Sequence, residues 1–184
     1  METSDTAVRE GDSRAGKYLT FRLANEEYGL EILKVREIIG LMEITGVPQT
    51  PSHIRGVINL RGKVIPVLDL RLKFGMDAAE DTDQTCIVVV EVTFGDQSVM
   101  TGVVVDAVSE VLDIDDEQIE DAPTFGGGVE TDFILGIGKI KNEVKILLDI
   151  DKVLNTGDMA ILNDMGESVE GKTMNVAELE TAGV

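Results

Sequence analysis

Short runs of aliphatic residues alternate with turn residues along most of the chain. Two such runs, residues 57–60 and 64–70, flank the tripeptide Arg61-Gly62-Lys63. Runs of β-branched residues on both sides of a glycine predict two strands and a tight turn, because glycine adopts positive φ without a steric penalty. We therefore expect a hairpin here, with Arg61 at its turn, pointing into solvent or at a partner.

The same pattern recurs farther along the chain. Aliphatic runs interrupted by turn residues occupy residues 86–105 and 134–150, and both segments predict further hairpins. Residues 33–39 are ambiguous, because their apolar positions fit either a strand or one or two helical turns. Little other helix is indicated, and the abundance of Val, Ile and Leu predicts an all-β protein.

The second half of the chain repeats the first in the same order of features. Each copy has room for four or five short strands, but not for the long crossovers that parallel strands need. We therefore predict two small antiparallel β-barrels side by side, with a groove between them and aliphatic residues packed at the seam. Matched positions include Gly56 and Gly136, Arg61 and Lys141, and Asp69 and Asp149, each 80 positions apart, and Gly29 and Gly102, Val35 and Val108, and Glu37 and Glu110, each 73 positions apart.

Composition along the chain predicts a compact region between two tails. Residues 1–16 are polar and charged and are expected to be a flexible tail. Residues 17–157 form the compact region, with one subdomain at about 17–80 and a second at about 81–157. Residues 158–184 are acidic and mixed in composition, and we expect them to be mobile.

The charge balance excludes several classes of partner. The 184 residues carry a formal net charge of −19, which argues against binding to nucleic acid or to anionic membrane surfaces. The sequence has no signal peptide and no apolar run of the roughly 18 residues that a membrane span requires. The single cysteine fits a reducing compartment. These features predict a cytoplasmic protein without direct membrane insertion.

Two near matches to ligand-binding motifs fail in detail. In residues 56–63, five residues separate the two glycines where a P-loop has four, and Val64 replaces the required Ser or Thr. Residues 113–124 begin like a calcium loop, but they lack its central glycine and its final glutamate. We interpret the acidic segment as a solvated face.

The residue inventory also argues against catalysis. His53 is the only histidine and Cys86 the only cysteine, so neither a catalytic triad nor a transition-metal cluster can be assembled. Cys86 lies in an apolar strand and is expected to be an inert thiol. We predict no cofactor, no metal and no enzymatic activity. The alternative is a small acidic hydrolase or nucleotide-binding enzyme that uses the acidic face.

Long stretches of the chain follow the pattern of one known family. Residues 55–71 carry the strongest match, which extends to residues 27–38 and 102–112 and reappears at residues 135–138 and 147–150. In these stretches the chain resembles the CheW-like domain family, the chemotaxis coupling proteins. The resemblance covers nearly all of the predicted compact region.

This resemblance implies a non-catalytic adaptor. The implied fold has two SH3-like, five-stranded β-barrels side by side, with short helical segments. Members of the family are adaptors. They couple the cytoplasmic tips of chemoreceptors (methyl-accepting chemotaxis proteins) to the regulatory domain of the histidine kinase CheA. The resemblance therefore implies a cytoplasmic protein that is recruited to receptor arrays at the inner face of the membrane.

The resemblance also implies which residues contact partners. Val35 and Glu37 would lie on the surface of the first barrel near Arg61. Four further positions would lie on or near the groove that receives the receptor: Cys86, Gly102, Val108 and Val111. Val108 and Val111 would be apolar anchors, and Gly102 would permit close approach. Cys86 departs from the aliphatic residue usual in the family.

Overall fold

The computed structural model describes residues 13–123 and 132–154, together with residues 158, 160–162 and 165. This part of the chain is mostly β-strand, which confirms the predicted all-β class. The strands are β1 (Gly16–Leu23), β2 (Glu26–Glu31), β3 (Val35–Gly40), β4 (Ile54–Leu60), β5 (Lys63–Asp69), β6 (Cys86–Phe94), β7 (Gln97–Val105), β8 (Ala107–Ile114), β9 (Ile119–Glu120), β10 (Ile134–Ile140) and β11 (Glu143–Leu148). The short helices include α1 (Leu70–Lys73) and α2 (Ile150–Val153), with 3-10 turns at Ile32–Lys34 and Asp116–Gln118.

The ambiguous segment at residues 33–39 is mainly strand. A 3-10 turn at Ile32–Lys34 precedes β3, which pairs antiparallel with β6 from Val35 opposite Val90 to Gly40 opposite Cys86. Pairing with a distant strand therefore determines the conformation of residues whose spacing alone fits either type of structure.

The strands form two sheets, and each sheet takes strands from both halves of the chain. The larger sheet has the order β8-β1-β2-β11-β10-β9, and the smaller sheet has the order β3-β6-β7-β5-β4. In each sheet, the first two strands of one half are flanked by strands of the other half. On one side lies the third strand of that other half, and on the other side lies its last hairpin. We call this the exchanged arrangement. The boundary predicted near residue 80 consequently does not separate the two sheets.

The register shows that the sequence repeat is also a structural repeat. β5 pairs in parallel with β7, with Val67 opposite Gly102, and β11 pairs in parallel with β2, with Leu147 opposite Gly29. These two pairs relate residues that are equivalent in the two halves. The prediction of purely antiparallel sheets is therefore wrong, because each exchanged hairpin joins its sheet through one parallel pair of strands.

The aspartates that follow both hairpins begin short helices. The side chain of Asp69 accepts a hydrogen bond from the backbone N–H of Leu72 at 3.3 Å. The side chain of Asp149 accepts one from the N–H of Asp151 at 3.1 Å. Because a helix leaves its first N–H groups without intrahelical acceptors, these carboxylates cap α1 and α2.

Apolar side chains pack in three layers, one between the sheets and one on the outer side of each sheet. β6 shows why its apolar run is continuous: Val88, Val90 and Val92 face the central layer, whereas Ile87 and Val89 face the outer layer of the smaller sheet. A strand buried on both faces needs no polar alternation. The central layer also contains Leu19, Phe21, Leu23 and Leu30 of the larger sheet, so residues from both sheets meet at the predicted seam.

The compact part of the chain extends beyond both predicted ends. Arg14 forms an ion pair with Asp121 at 2.8 Å, and Leu162 and Met165 are buried in the central layer. Both apolar side chains lie in a segment whose acidic composition predicted a mobile tail. The rest of the two predicted tails lies outside the described residues.

His53 has a partner that the sequence did not identify. Its Nε2 lies 2.8 Å from Oδ1 of Asp158, and the other carboxylate oxygen of Asp158 binds the ammonium group of Lys73. Asp158 is buried. His53 therefore helps to hold the C-terminal segment against the first hairpin.

Candidate functional site

The tight turn between β4 and β5 displays Arg61. Arg61 and Gly62 have φ angles of 53° and 86°, and the side chain of Asn59 accepts a hydrogen bond from the N–H of Gly62 at 2.8 Å. Positive φ at both central residues is typical of the type I′ turn, which matches the twist of a hairpin. The Arg61 side chain is 69% exposed, as the sequence predicted for this turn.

Arg61 forms a two-pronged ion pair with Glu37. Its Nη1 donates to Oε2 of Glu37 at 2.9 Å, and its Nη2 donates to Oε1. The hydrogen bond from Arg61 lowers the pKa of the Glu37 carboxyl. Glu37 lies on β3 and Arg61 follows β4, the two outermost strands of the smaller sheet. The sheet therefore curves enough for side chains from its two outermost strands to reach each other.

Thr45 and Val35 complete this edge. Thr45, in the segment after β3, exchanges two backbone hydrogen bonds of 2.9 Å with Val57 of β4. Val35 is partly buried and packs against the central layer. The structure thus brings Glu37 and Arg61 together on the surface, whereas Val35 contributes partly to the core.

Cys86 and Val108 meet at the boundary between the two sheets. Both are partly buried and pack against the central layer. Burial raises the pKa of the Cys86 thiol, and a hydrogen bond with the backbone of Val108 opposes that increase. A thiol with a raised pKa is largely protonated at neutral pH, which fits the expected inert cysteine and not a nucleophile.

Gly102 is buried and allows the protein's own strands to approach closely. A Cβ at this position would lie 2.8 Å from Cγ2 of Ile87 and 3.2 Å from Cγ2 of Val67. The space left by the missing side chain is therefore taken by the core. Gly102 therefore presents no surface to a partner.

Val111 differs from the other positions predicted at the groove because it is 50% exposed. It lies on β8, the outermost strand of the larger sheet, opposite Leu19 of β1. The described hydrogen bonds and ion pairs connect Glu37 with Arg61, and Cys86 with Val108, but do not join the two groups. The predicted residues therefore fall into two groups, one on the smaller sheet and one where the two sheets meet, since Cys86 lies on β6 and Val108 and Val111 lie on β8.

Several ion pairs join the two halves of the chain, and the sequence did not predict them. Three of them join Arg71 to Asp106, Lys34 to Asp151, and Lys145 to Glu27. The only sequence signal for them was a lysine within the aliphatic run of β11.

Of the residues that the structure describes, no group of three or more His, Cys, Asp or Glu could hold a metal ion. In the part of the chain that the structure describes, none of the helices could span a membrane.

Comparison with known proteins agrees with this architecture. The family model described as "CheW-like domain" matches residues 17–158. The chemotaxis protein CheW of Klebsiella aerogenes is 40% identical over 158 residues, which cover 86% of this chain and 93% of that protein. The CheW of Rhizobium meliloti is 36% identical over 149 residues, covering 77% and 94% of the two chains.

A solved structure shares the fold. The scaffolding protein TtCheW from Thermoanaerobacter tengcongensis superimposes with a TM-score of 0.69 at 37% identity, covering 78% of this chain and 95% of that one. The family model and the curated relatives both span most of the chain. The chain therefore belongs to the CheW-like domain family of chemotaxis scaffold proteins.

Proposed function

We propose that the protein couples the cytoplasmic tips of chemoreceptors to the regulatory domain of the histidine kinase CheA. The observation that carries this proposal is the exposed, two-pronged pair of Arg61 and Glu37 at the turn between β4 and β5. The equivalent turn of the second half has Lys141 and Asn142, both at positive φ. The two halves share the backbone of the turn, but only the first offers a guanidinium fixed by a carboxylate.

The chemistry of this pair suits recognition better than stabilisation. An exposed ion pair contributes only about 0–1 kcal/mol to stability, so its removal should leave the fold intact. Arginine is enriched among the residues that dominate binding energies at protein interfaces, and Glu37 holds the Arg61 guanidinium in one orientation before a partner arrives. We assign the surface formed by Glu37 and Arg61, together with Val35 on the same strand as Glu37, to the kinase.

The exposed apolar side chain of Val111 supports a different contact. Receptor tips are helical, and apolar side chains in a shallow surface can receive the apolar face of a helix. We assign Val111, with the partly buried Val108 and Cys86 beside it, to the receptor. The protein would act in the cytoplasm at receptor arrays on the inner face of the membrane. It would need neither cofactor nor nucleic acid.

Replacing Arg61 by alanine should weaken the kinase complex at least about tenfold, while the free energy of unfolding changes by less than about 0.5 kcal/mol. Titration calorimetry with the purified regulatory domain of CheA measures the first quantity, and urea unfolding the second. Lys141→Ala, at the equivalent turn of the second half, is the matched control and should bind normally. Equal affinities of the two variants for the kinase would contradict the assignment of Arg61.

Replacing Val111 by aspartate should reduce capture of a receptor fragment about tenfold or more, because a charge would enter an apolar contact. Val144→Asp is the matched control, since Val144 is 54% exposed on the same sheet but is not assigned to a partner. Pull-down with the cytoplasmic helical hairpin of a receptor compares them. Similar losses for both variants would show that added negative charge, and not the position of Val111, controls capture.

A further inference from the structure

The exchanged arrangement has a competitor of nearly the same shape. Because the two halves repeat each other, each last hairpin could lie beside the second strand of its own half. The receiving strands offer the same space for it. A Cβ on Gly29 of β2 would lie 2.9 Å from Leu147, and a Cβ on Gly102 of β7 would lie 3.2 Å from Val67. Backbone packing therefore does not select between the two arrangements.

The charges on the two short helices do distinguish them. Arg71, the second residue of α1, donates from Nε and Nη2 to the carboxylate of Asp106 at 2.8 and 2.5 Å. Asp151, the second residue of α2, accepts from the ammonium group of Lys34 at 2.7 Å. The helices occupy equivalent places in the repeat, yet these two residues have opposite charges, and so do their partners.

Pairing within each half would reverse the sign of both contacts. Lys34 lies in the connection between β2 and β3, and Asp106 lies in the equivalent connection between β7 and β8. A first hairpin placed on β2 would bring Arg71 towards Lys34, and a last hairpin placed on β7 would bring Asp151 towards Asp106. All four side chains are largely shielded from water, so screening by solvent weakens this discrimination only in part.

A buried lysine provides a stronger distinction. The Lys145 side chain is 5% exposed and binds the carboxylate of Glu27, the residue opposite it on β2. The equivalent residues of the smaller sheet, Ile65 and Met100, pack together in an apolar layer. Pairing within each half would place Lys145 opposite Met100 and Glu27 opposite Ile65. A buried charge without a partner is strongly unfavourable. The contact between Lys145 and Glu27 therefore opposes pairing within each half more than the other two contacts do.

Glu31, in contrast, favours pairing within each half. Its burial is the largest cause that raises its pKa, and the carboxylate of Asp149 is the next. Lys34 opposes this increase, and Asp151 adds to it. Pairing within each half would replace Asp151 by Arg71 near Glu31 and would relieve part of this repulsion. Glu31 is less buried than Lys145, so the three favourable pairs outweigh it.

We infer that these three charged contacts make each half of the chain accept the hairpin of the other half and reject its own. The recognition surface is the second strand of each half with the connection that follows it, and its partner is the hairpin and short helix of the other half. The two surfaces have similar shapes but different charge patterns.

A full-length variant with inverted contacts tests the inference. It carries four substitutions that leave the net charge unchanged and make each of the three charged contacts favour pairing within each half. A mirrored variant adds four more and restores opposite charges in the exchanged arrangement. The inverted variant is Glu27→Met, Arg71→Asp, Met100→Glu and Asp151→Lys; the mirrored variant adds Lys34→Asp, Ile65→Lys, Asp106→Lys and Lys145→Ile.

Spin-label distances report which strands are neighbours after refolding from urea. Extending the register of Val67 opposite Gly102 places Lys63 beside Ser98 in the exchanged arrangement, whereas pairing within each half would place Lys63 beside Asn25. All three positions are exposed, so labels should not disturb the core. Labels are attached to introduced cysteines in a Cys86→Ala background, as pairs at 63 and 98 or at 63 and 25.

The original and mirrored chains should refold as monomers with only the short distance between 63 and 98. The inverted chain should lose that distance in most molecules, by refolding with a short distance between 63 and 25 or by failing to refold while the mirrored chain folds. An inverted chain that refolds with only the distance between 63 and 98 would overturn the inference. Failure of both variants to refold would overturn it too, because the sign of the contacts would then not decide the outcome.

Discussion

A Gly56→Ala variant should be destabilised by about 3 kcal/mol or more. Gly56 has a φ of 142°, and an added Cβ would lie 2.0 Å from the carbonyl oxygen of Thr45 and 2.6 Å from its carbonyl carbon. These are backbone atoms, so no side-chain rotation can relieve the overlap. Relief would require breaking the two hydrogen bonds between Thr45 and Val57 that hold the segment after β3 against β4.

Two other glycines provide controls for this variant. Gly40 has open space around its missing Cβ and no positive φ, so Gly40→Ala should change stability by less than about 0.5 kcal/mol. Gly136 is equivalent to Gly56, and its nearest obstacle is the side chain of Ile119 at 2.5 Å. Gly136→Ala should therefore have an intermediate effect. Urea unfolding measures all three, and a loss below about 1 kcal/mol for Gly56→Ala would contradict the contact with Thr45.

The hairpins and the repeat could be predicted because they depend on residues close in sequence. Glycine and β-branched residues around Arg61 determine a local turn. The exchange of hairpins could not be predicted, since apolar spacing shows which residues are buried but not which strand lies beside them. Val67 would be equally buried beside Gly29 or Gly102. Apart from Lys145 and Glu27, the two halves have nearly the same apolar pattern, so that pattern alone fits both arrangements.

The candidate site was predictable to a similar extent. The exposure of Arg61 follows from its place in a turn, but its pairing with Glu37 depends on curvature that brings the outermost strands together. Gly102 shows the opposite difficulty. A glycine in a strand indicates close approach of some other atoms, and sequence alone does not say whether they belong to a partner or to the protein's own core.

Replacing Glu27 by methionine should cost about 2–4 kcal/mol, because the buried ammonium group of Lys145 would lose its main partner. Glu143 also lies near Lys145, at 3.3 Å, but it is largely exposed and compensates only in part. A second substitution, Lys145→Ile, should restore stability to within about 1 kcal/mol of the original. The smaller sheet already contains this apolar combination in Ile65 and Met100. Urea unfolding of the single and double variants tests both values.

The pH dependence of stability separates this explanation from a simple packing effect. The hydrogen bond from Lys145 lowers the pKa of Glu27. Its ionised form therefore stabilises the fold above the ordinary glutamate pKa, and this contribution is lost as the pH falls through the lowered pKa. The double variant, Glu27→Met with Lys145→Ile, lacks the pair and should lose less stability on acidification than the original chain. Equal acid sensitivity of the two would show that the ion pair contributes little and that the single variant is destabilised by packing alone.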